Sequence, residues 1–200
     1  TNVGHNGWFA GGGGGQTYNN AGRVGWGNSY NGTHDNIRGF GGGGDGGFNG
    51  SPAINSQKGM EHTGGGGGGA QTSTAGASGG SGVVIIRYLD TGYTNEPTIT
   101  NNADSDILFS DYNTIMLTYD STNDNGNNQT NYTLNVTSDM SCEVLIVAGG
   151  GGGGMSMGGG GGGGGVIHLE TLYLKAGTKT ISVGNGGDYA PAAGVDGQPS

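Results

Sequence analysis

The sequence predicts an all-β chain that combines a polyglycine II helix bundle with a small immunoglobulin-like β-sandwich and has no α-helix of note. Three observations lead to this prediction. Glycine makes up 52 of the 200 residues and is concentrated in uninterrupted runs. Apolar, β-type segments adjoin these runs without a polar spacer. Short stretches of alternating apolar and polar residues, divided by polar turns, occupy the middle of the chain.

The most glycine-rich stretch follows the apolar segment Val144-Leu145-Ile146-Val147 and is interrupted by a Met-Ser-Met bridge. Five runs occur in the chain, at residues 11–15, 41–44, 64–69, 149–154 and 158–165. A flexible linker is the usual interpretation of such sequence. The alternative is polyglycine II, a left-handed threefold helix with a rise of about 3.1 Å per residue and no internal hydrogen bonds.

Hydrogen bonding and chain entropy favour ordered runs over a flexible linker. The N–H and C=O groups of polyglycine II point outward, so in a dry interior only neighbouring runs can satisfy them. Glycine lets these backbones approach closely, but its entropy loss on ordering leaves a lone run disordered. The runs are matched in length, because six to eight glycines span about 19 to 25 Å. We therefore predict that the runs order together.

Composition excludes several classes of protein. The formal net charge is −9, with 6 basic against 15 acidic residues, so we expect no nucleic-acid partner. No apolar run approaches the roughly 20 residues of a membrane span. Cys142 is the only cysteine, which excludes an intrachain disulfide and suggests a small buried apolar residue. Because the sequence begins at Thr1, we expect a processed product, a fragment or one unit of something longer.

The strand pattern divides the chain into three parts. Val83–Leu89 reads as a strand buried on both faces at its start, and shorter strands are predicted at 106–109, 114–119, 131–137 and 142–148. We predict two parts of a glycine-rich domain, at 1–89 and 143–200, around a sandwich spacer at 90–142 that borrows strands or a partner. Residues 166–174 and 178–183 are predicted to form a hairpin around Lys175-Ala176-Gly177.

Aromatic residues lie beside the glycine runs. Trp8 and Phe9 precede the first run, and Phe40 and Phe48 flank the second. We expect these side chains to cap the bundle with apolar area. The alternative is that the aromatic residues form an exposed binding surface. This alternative suits Trp26 and Tyr30 better, because these two residues do not adjoin a glycine run.

The sequence contains no pattern typical of catalysis. The four histidines, His5, His34, His62 and His168, are scattered without a zinc motif, and Cys142 lacks a nearby base. Asp120, Asp124 and Asn125 depart from the EF-hand pattern, since glycine falls one position late and no Glu closes the loop. We therefore expect no enzyme activity, no cofactor and no metal site.

Five N-x-Ser/Thr sequons are candidate glycosylation sites. They lie at Asn31, Asn49, Asn128, Asn131 and Asn135. The spacing of Asn131 and Asn135 predicts that both lie on the solvent face of one strand.

Two motifs resemble the glycine-rich domain of phage tail-fibre and bacterial extracellular proteins. The segment VLIVAGGGGGG is similar to its opening strand, and GGSGVVIIRY is similar to its closing strand. The resemblance covers residues 1–89 and 142–200, with the parts in rotated order, and joining Ser200 to Thr1 restores the family layout. It implies a polyglycine II sandwich related in style to the distal adhesin of some long tail fibres.

The rotated order predicts a repeat of a tandem array, or a protomer whose glycine core is completed by its neighbour. We therefore expect a structural, self-associating subunit of an extracellular filament assembled head to tail. The alternative is a phage receptor-binding adhesin at the virion surface that contacts cell-surface glycans or proteins, and a third interpretation is a carbohydrate-binding module. The predicted core and assembly residues are Trp8, Phe9, Val83, Val84, Ile85, Ile86, Val144, Leu145, Ile146 and Val147.

Overall fold

A computed structural model describes residues 4, 7–15, 40–47, 55–70, 75–89, 98–100, 106–109 and 112–189 of the chain. Its strands form one five-stranded and one three-stranded sheet, and every pairing is antiparallel. Within the described residues the only helical element is a short 3-10 turn, Ser121–Asn123. The all-β class predicted from the sequence is confirmed.

The strands follow the alternation of the sequence. They are β1 (Val83–Leu89), β2 (Thr98–Thr100), β3 (Asp106–Phe109), β4 (Tyr112–Thr118), β5 (Gln129–Val136), β6 (Met140–Val147), β7 (Val166–Leu174) and β8 (Gly177–Gly184). The larger sheet has the order β3-β4-β1-β6-β7 and the smaller sheet β2-β5-β8. The predicted bounds of β1, β3 and β7 are confirmed, whereas β2 was not predicted.

The two sheets share one hydrophobic core. On β1, Val84 and Ile86 face the core, and on β5 the alternate residues Tyr132, Leu134 and Val136 do the same. The remaining buried core residues are Tyr88, Ile115, Leu117, Cys142, Val144 and Val183. Because a shift by one residue would turn each apolar set to solvent, this alternation fixes the register of the strands.

The sandwich uses strands from both sides of the predicted spacer. β3 and β4 extend the sheet that β1 and β6 form, and β5 pairs with β8. Residues 90–142 therefore share their sheets with strands from the flanking glycine-rich parts. The strands that the predicted spacer is expected to borrow are thus supplied by the same chain.

The structure corrects the predicted hairpin of β7 and β8. β7 pairs with β6 and β8 pairs with β5, so the turn at Lys175 and Ala176 connects the two sheets. Asp139 holds this turn, accepting hydrogen bonds from Ala176 N at 2.8 Å and Lys175 Nζ at 2.8 Å. A local turn signal identifies the reversal of the chain but does not specify which sheet each strand joins.

Candidate functional site: the glycine bundle and its junction

The centre of the glycine-rich part is segment 64–70, in which every residue is buried. Backbone hydrogen bonds join it to six other segments of the same chain. These segments are residues 10–15, 41–47, 55–60, 75–82, 148–154 and 158–165. We call this assembly, together with residues 184–189, the glycine bundle.

Hydrogen bonds around the central segment repeat every three residues. Gly66 and Gly69 donate to the carbonyls of Gly11 and Gly14, at 2.8 and 2.9 Å. The next residue of each triplet, Gly67 and Ala70, donates to segment 148–154. Carbonyls follow the same rule, with donors supplied by segments 41–47, 75–82 and 158–165. Three successive residues therefore form hydrogen bonds with different neighbouring segments.

Close packing requires glycine inside the bundle. A methyl group on Gly66 would overlap the carbonyl oxygen of Gly161, and one on Gly161 would overlap that of Gly151. Among the run glycines that the structure describes, positive φ angles occur only at Gly41, Gly42 and Gly64, where runs begin. Elsewhere it is the approach of another backbone, not an unusual backbone conformation, that demands glycine.

All five predicted runs meet within one chain. The sequence predicts that runs 11–15 and 149–165 share a bundle across the boundary between units. In the structure, Gly13 N donates to Gly161 O of the same chain at 2.8 Å. The rotated order of the motifs therefore does not by itself require a neighbouring unit.

Three bundle segments are not among the five predicted glycine runs, although the end of one of them, 75–82, belongs to the closing motif GGSGVVIIRY. Segments 55–60, 75–82 and 184–189 contain residues other than glycine, so the sequence does not show them as uninterrupted glycine runs. A signal exists in 75–82, where Gly76, Gly79 and Gly82 recur every three residues. A methyl group at each would overlap a carbonyl oxygen of 147–153. Glycine with a period of three thus marks the face turned towards the bundle.

The predicted assembly strands form the junction between bundle and sandwich. The register of β1 against β6 pairs Val83 with Val147, Val84 with Ile146, Ile85 with Leu145, and Ile86 with Val144. A methyl group on Gly64 would lie against the side chain of Val147, so bundle and sheet are in contact. The ladder of β6 and β7 continues into the bundle through the Ala148 N to Gly165 O bond, at 2.9 Å.

Four strands pass directly into the bundle at this junction. β1 follows segment 75–82 and β7 follows segment 158–165, while β6 leads into 148–154 and β8 into 184–189. No connecting loop separates any of these strands from its glycine segment.

A small ionic cluster ties three of the strands together on the outer face of the larger sheet. Glu143 on β6 accepts a hydrogen bond from His168 Nε2 of β7 at 2.8 Å and forms an ion pair with Arg87 of β1. The His168 hydrogen bond, followed by the charge of Arg87, holds the pKa of the Glu143 carboxyl below its usual value.

The aromatic residues are more exposed than capping residues would be. The rings of Trp8 and Phe40 lie 5.9 Å apart, yet these side chains are 60% and 57% exposed. Phe9 is half-buried, with its ring against Gly4. Phe48, Trp26 and Tyr30 lie outside the described residues. The Trp8–Phe40 pair therefore covers the bundle only in part.

The described sequons lie on the smaller sheet and the turn before it. Asn128 and Asn131 are exposed and Asn135 is half-buried, and Asn131 and Asn135 share the outer face of β5, as predicted. Their Oδ1 atoms accept hydrogen bonds from Ser182 at 2.7 Å and Thr178 at 3.0 Å. Asn31 and Asn49 lie outside the described residues.

The carboxylates considered for calcium have structural partners. Asp120 caps the 3-10 turn by accepting from Thr122 N at 2.8 Å, and Asp124 accepts from Tyr119 and from Gly126 N. In the part of the chain that the structure describes, no group of three or more His, Cys, Asp or Glu residues could hold a metal ion. Cys142 is buried in the sandwich core, and burial raises the pKa of its thiol.

Comparison with known proteins adds a family match. Residues 125–200 match the model of a family described as a glycine-rich domain. This stretch contains the four strands β5 to β8 together with three bundle segments. No curated protein and no solved structure matches the chain. The immunoglobulin likeness of the sandwich therefore stays a prediction. Among the described residues no helix has the length and apolar character needed to span a membrane.

Proposed function

We propose that the chain is a structural subunit of an extracellular filament that assembles head to tail, with the glycine bundle as its stiff element. The observation that carries the proposal is the buried segment 64–70, which has hydrogen-bonded neighbours on six sides. A core of this kind offers backbone groups and no side-chain chemistry. What this core provides is a fixed register for the segments that surround it.

We infer further that the bundle is polyglycine II. The three-residue period of its hydrogen bonds equals the three residues per turn of that helix, which has no internal hydrogen bonds. Both parallel and antiparallel neighbours surround the centre, since 10–15 runs parallel to 64–70 and 158–165 runs antiparallel. A helix whose donors and acceptors radiate in all directions accommodates both.

Exposed apolar side chains at both ends of the molecule support head-to-tail contact. Met157 lies on the turn that closes the bundle and is 66% exposed. Leu89 and Tyr112 face each other across β1 and β4 at the opposite end of the sandwich, and both are exposed. Contact between these ends would bury apolar area that is otherwise in water.

Electron microscopy of the purified chain tests the proposal. We expect long, uniform filaments, and we expect Met157→Glu to shorten or abolish them. Asn127→Glu is the matched control, since it adds the same charge at an exposed turn away from both ends. Only dispersed single-chain particles at every concentration, or filaments of Met157→Glu equal to those of the unsubstituted chain, would contradict head-to-tail assembly through this end.

A second candidate function is that of a receptor-binding adhesin. The exposed Trp8–Phe40 pair favours it, because flat aromatic surfaces bind the apolar faces of sugar rings. Glycan-array binding that Trp8→Ala removes, together with compact trimers or fibre tips in micrographs, would support this function over the filament. Binding unchanged in Trp8→Ala would exclude the pair as the contact surface.

A further inference from the structure

One side of segment 158–165 is open. Gly159, Gly162 and Gly165 are exposed, recur every three residues and have φ angles outside the left-handed region. No described atom lies within 4 Å of the position that a Cβ would occupy on any of them. Glycine in ordered structure costs about 0.5–1 kcal/mol relative to alanine. Nothing in the described part of the chain explains why these three positions are glycine.

The neighbouring segment continues the same face. Gly12 and Gly15 of segment 10–15 also recur every three residues, and a Cβ there would meet at most Gly161 O at 3.9 Å. Segments 10–15 and 158–165 lie side by side, because Gly13 N donates to Gly161 O. We call the surface formed by these five glycines the open glycine face.

Two backbone N–H groups on this face have no acceptor among the described residues. The N–H groups of Gly159 and Gly162 donate to no described residue, although their carbonyls accept from Gly154 and Gly151. Segment 158–165 has three bundle neighbours, against six around the central segment. Only a backbone without Cβ atoms could approach the vacant side as closely as the bundle segments approach one another.

The open glycine face leads into an unprotected strand edge. β7 continues directly from segment 158–165 and is the last strand of the larger sheet, with no strand on its far side among the described residues. Its exposed apolar residues include Val166, Ile167 and Tyr173. Glu170 is its only acidic residue, and it contains neither Lys nor Pro. A long edge without such residues is a natural pairing site for another strand.

Steric fit points to a second copy of the chain as the partner, and the charge on this face permits it. Each chain carries a formal net charge of −9, so copies repel unless they meet where acidic groups are few, as they are here. The described run glycines with open Cβ positions all belong to this face. The matching surface on a second copy is therefore the same face, which makes the contact isologous.

We propose that two copies of the chain form a twofold dimer through the open glycine face and the β7 edge. An axis parallel to the run places glycine against glycine and β7 against β7. Eight residues at about 3.1 Å and nine at about 3.3 Å give a strip about 55 Å long. At a width of about 10 Å in each copy, the total buried area is about 1,100 Å², close to the lower limit for specific interfaces.

The dimer goes beyond the proposed function and can succeed or fail without it. Pairing closes on itself and produces no filament, whereas head-to-tail contact involves the two ends of the molecule. Loss of one contact therefore leaves the other measurable.

Sedimentation velocity from about 1 µM to about 1 mM tests the dimer, since a small interface gives a concentration-dependent equilibrium. Met157→Glu serves as the background if filaments form. We expect the triple variant Gly159→Ala, Gly162→Ala, Gly165→Ala to raise the dimer dissociation constant at least about tenfold. Its thermal midpoint at low concentration should be unchanged or higher, because a Cβ at these three positions would meet no described atom of the same chain.

Gly184→Ala is the matched control, because Gly184 on β8 also has open space at its Cβ position but lies off the face. It should dimerise like the unsubstituted chain. The proposal fails if the unsubstituted chain remains monomeric throughout this range. It fails equally if the triple variant dimerises with unchanged affinity.

Discussion

The glycine bundle and the β-sandwich are joined in one chain but are stabilised in opposite ways. In the sandwich, side chains such as Leu117 and Leu134 fill the space between two sheets. In the bundle, the backbone of segment 64–70 occupies the centre itself, and carbonyl oxygens stand where side chains would be. The sandwich core consists of side-chain volume, whereas the bundle core consists of hydrogen-bonded backbone.

This difference determines which changes each region tolerates. Removing atoms from the sandwich leaves a cavity and loses hydrophobic burial. Adding a single atom to the interior of the bundle forces two backbones apart and breaks hydrogen bonds in a dry interior. The adjacent residues Gly161 and Gly162 sharpen the contrast, because the first is buried against Gly151 and the second faces open space.

The largest effect is expected for Gly161→Val. Its side chain would overlap the Gly151 carbonyl, and separating the two segments also disturbs their bonds to the central segment. We expect a loss of more than about 4 kcal/mol of unfolding free energy, measured by thermal or denaturant unfolding. Gly162→Val, at a concentration too low for association, should change it by less than about 0.5 kcal/mol. Equal midpoints for both variants would contradict an ordered bundle.

Leu134→Ala tests the opposite sensitivity in the sandwich. Leu134 is 2% exposed between the sheets, so truncation should cost about 2–5 kcal/mol in denaturant unfolding. Leu89→Ala is the control, because Leu89 is 55% exposed and should lose less than about 0.5 kcal/mol. Similar losses for both leucines would mean that the two sheets do not share a packed core.

Tyr132→Phe removes one hydrogen bond from that core while preserving its packing. The Tyr132 hydroxyl donates to Thr118 O at 2.5 Å between β5 and β4. Leaving this carbonyl without its donor should cost about 1–2 kcal/mol of unfolding free energy. Tyr112→Phe, on an exposed ring, is the control and should be nearly neutral. A neutral Tyr132→Phe variant would show that the bond contributes little.

The smallest effect is expected at the ionic cluster of the junction. The pKa of Glu143 is lower in the folded chain than its usual value of 4.5, so ionisation stabilises the fold above that pH. This stabilisation is lost as pH falls from 4.5 through the lower folded pKa. Glu143→Gln should therefore be less stable than the unsubstituted chain at pH 7, by less than about 1 kcal/mol because the cluster is partly exposed.

The difference between Glu143→Gln and the unsubstituted chain should shrink in acid, as measured by denaturant unfolding at pH 7 and at about pH 3. Glu170→Gln, on the exposed edge of β7, removes the same charge outside the cluster and is the control, which should change the unfolding free energy at pH 7 by less than about 0.5 kcal/mol. A Glu143→Gln difference that does not change with pH would contradict the link to carboxyl ionisation.

The sequence predicted elements whose signal is local. β1 begins with four consecutive apolar residues, and β7 is rich in apolar residues between a glycine run and a turn, so the bounds of both strands are predicted from the sequence; the glycine runs mark most of the bundle. β2 escaped notice because Thr98–Thr100 is three residues long within a polar stretch, and its pairing with β5 is a long-range interaction. The same reason explains why the predicted hairpin of β7 and β8 is wrong, because no local sequence pattern shows that the two strands belong to different sheets.

For the candidate site, the sequence predicted the participating strands but not the arrangement. The apolar segments Val83 to Ile86 and Val144 to Val147 are predicted to be strands beside glycine, and the structure pairs them. Their pairing within one chain, and the central position of 64–70, depend on contacts between distant segments. Segment 55–60, which includes Gln57 and Lys58, is not predicted as part of the bundle because it has a single glycine, Gly59, and so shows neither a run nor a period.

The direct passage of four strands into the bundle has a mechanical consequence. When the bundle is pulled away from the sandwich along the strands, there is no connecting loop that could extend first. β1, β6, β7 and β8 therefore bear the load together. To separate the two regions, strands must slide lengthwise past their partners, which shears many interstrand bonds at once instead of unzipping them one by one. The junction is therefore expected to transmit force and torque as a stiff coupling, with little freedom to bend.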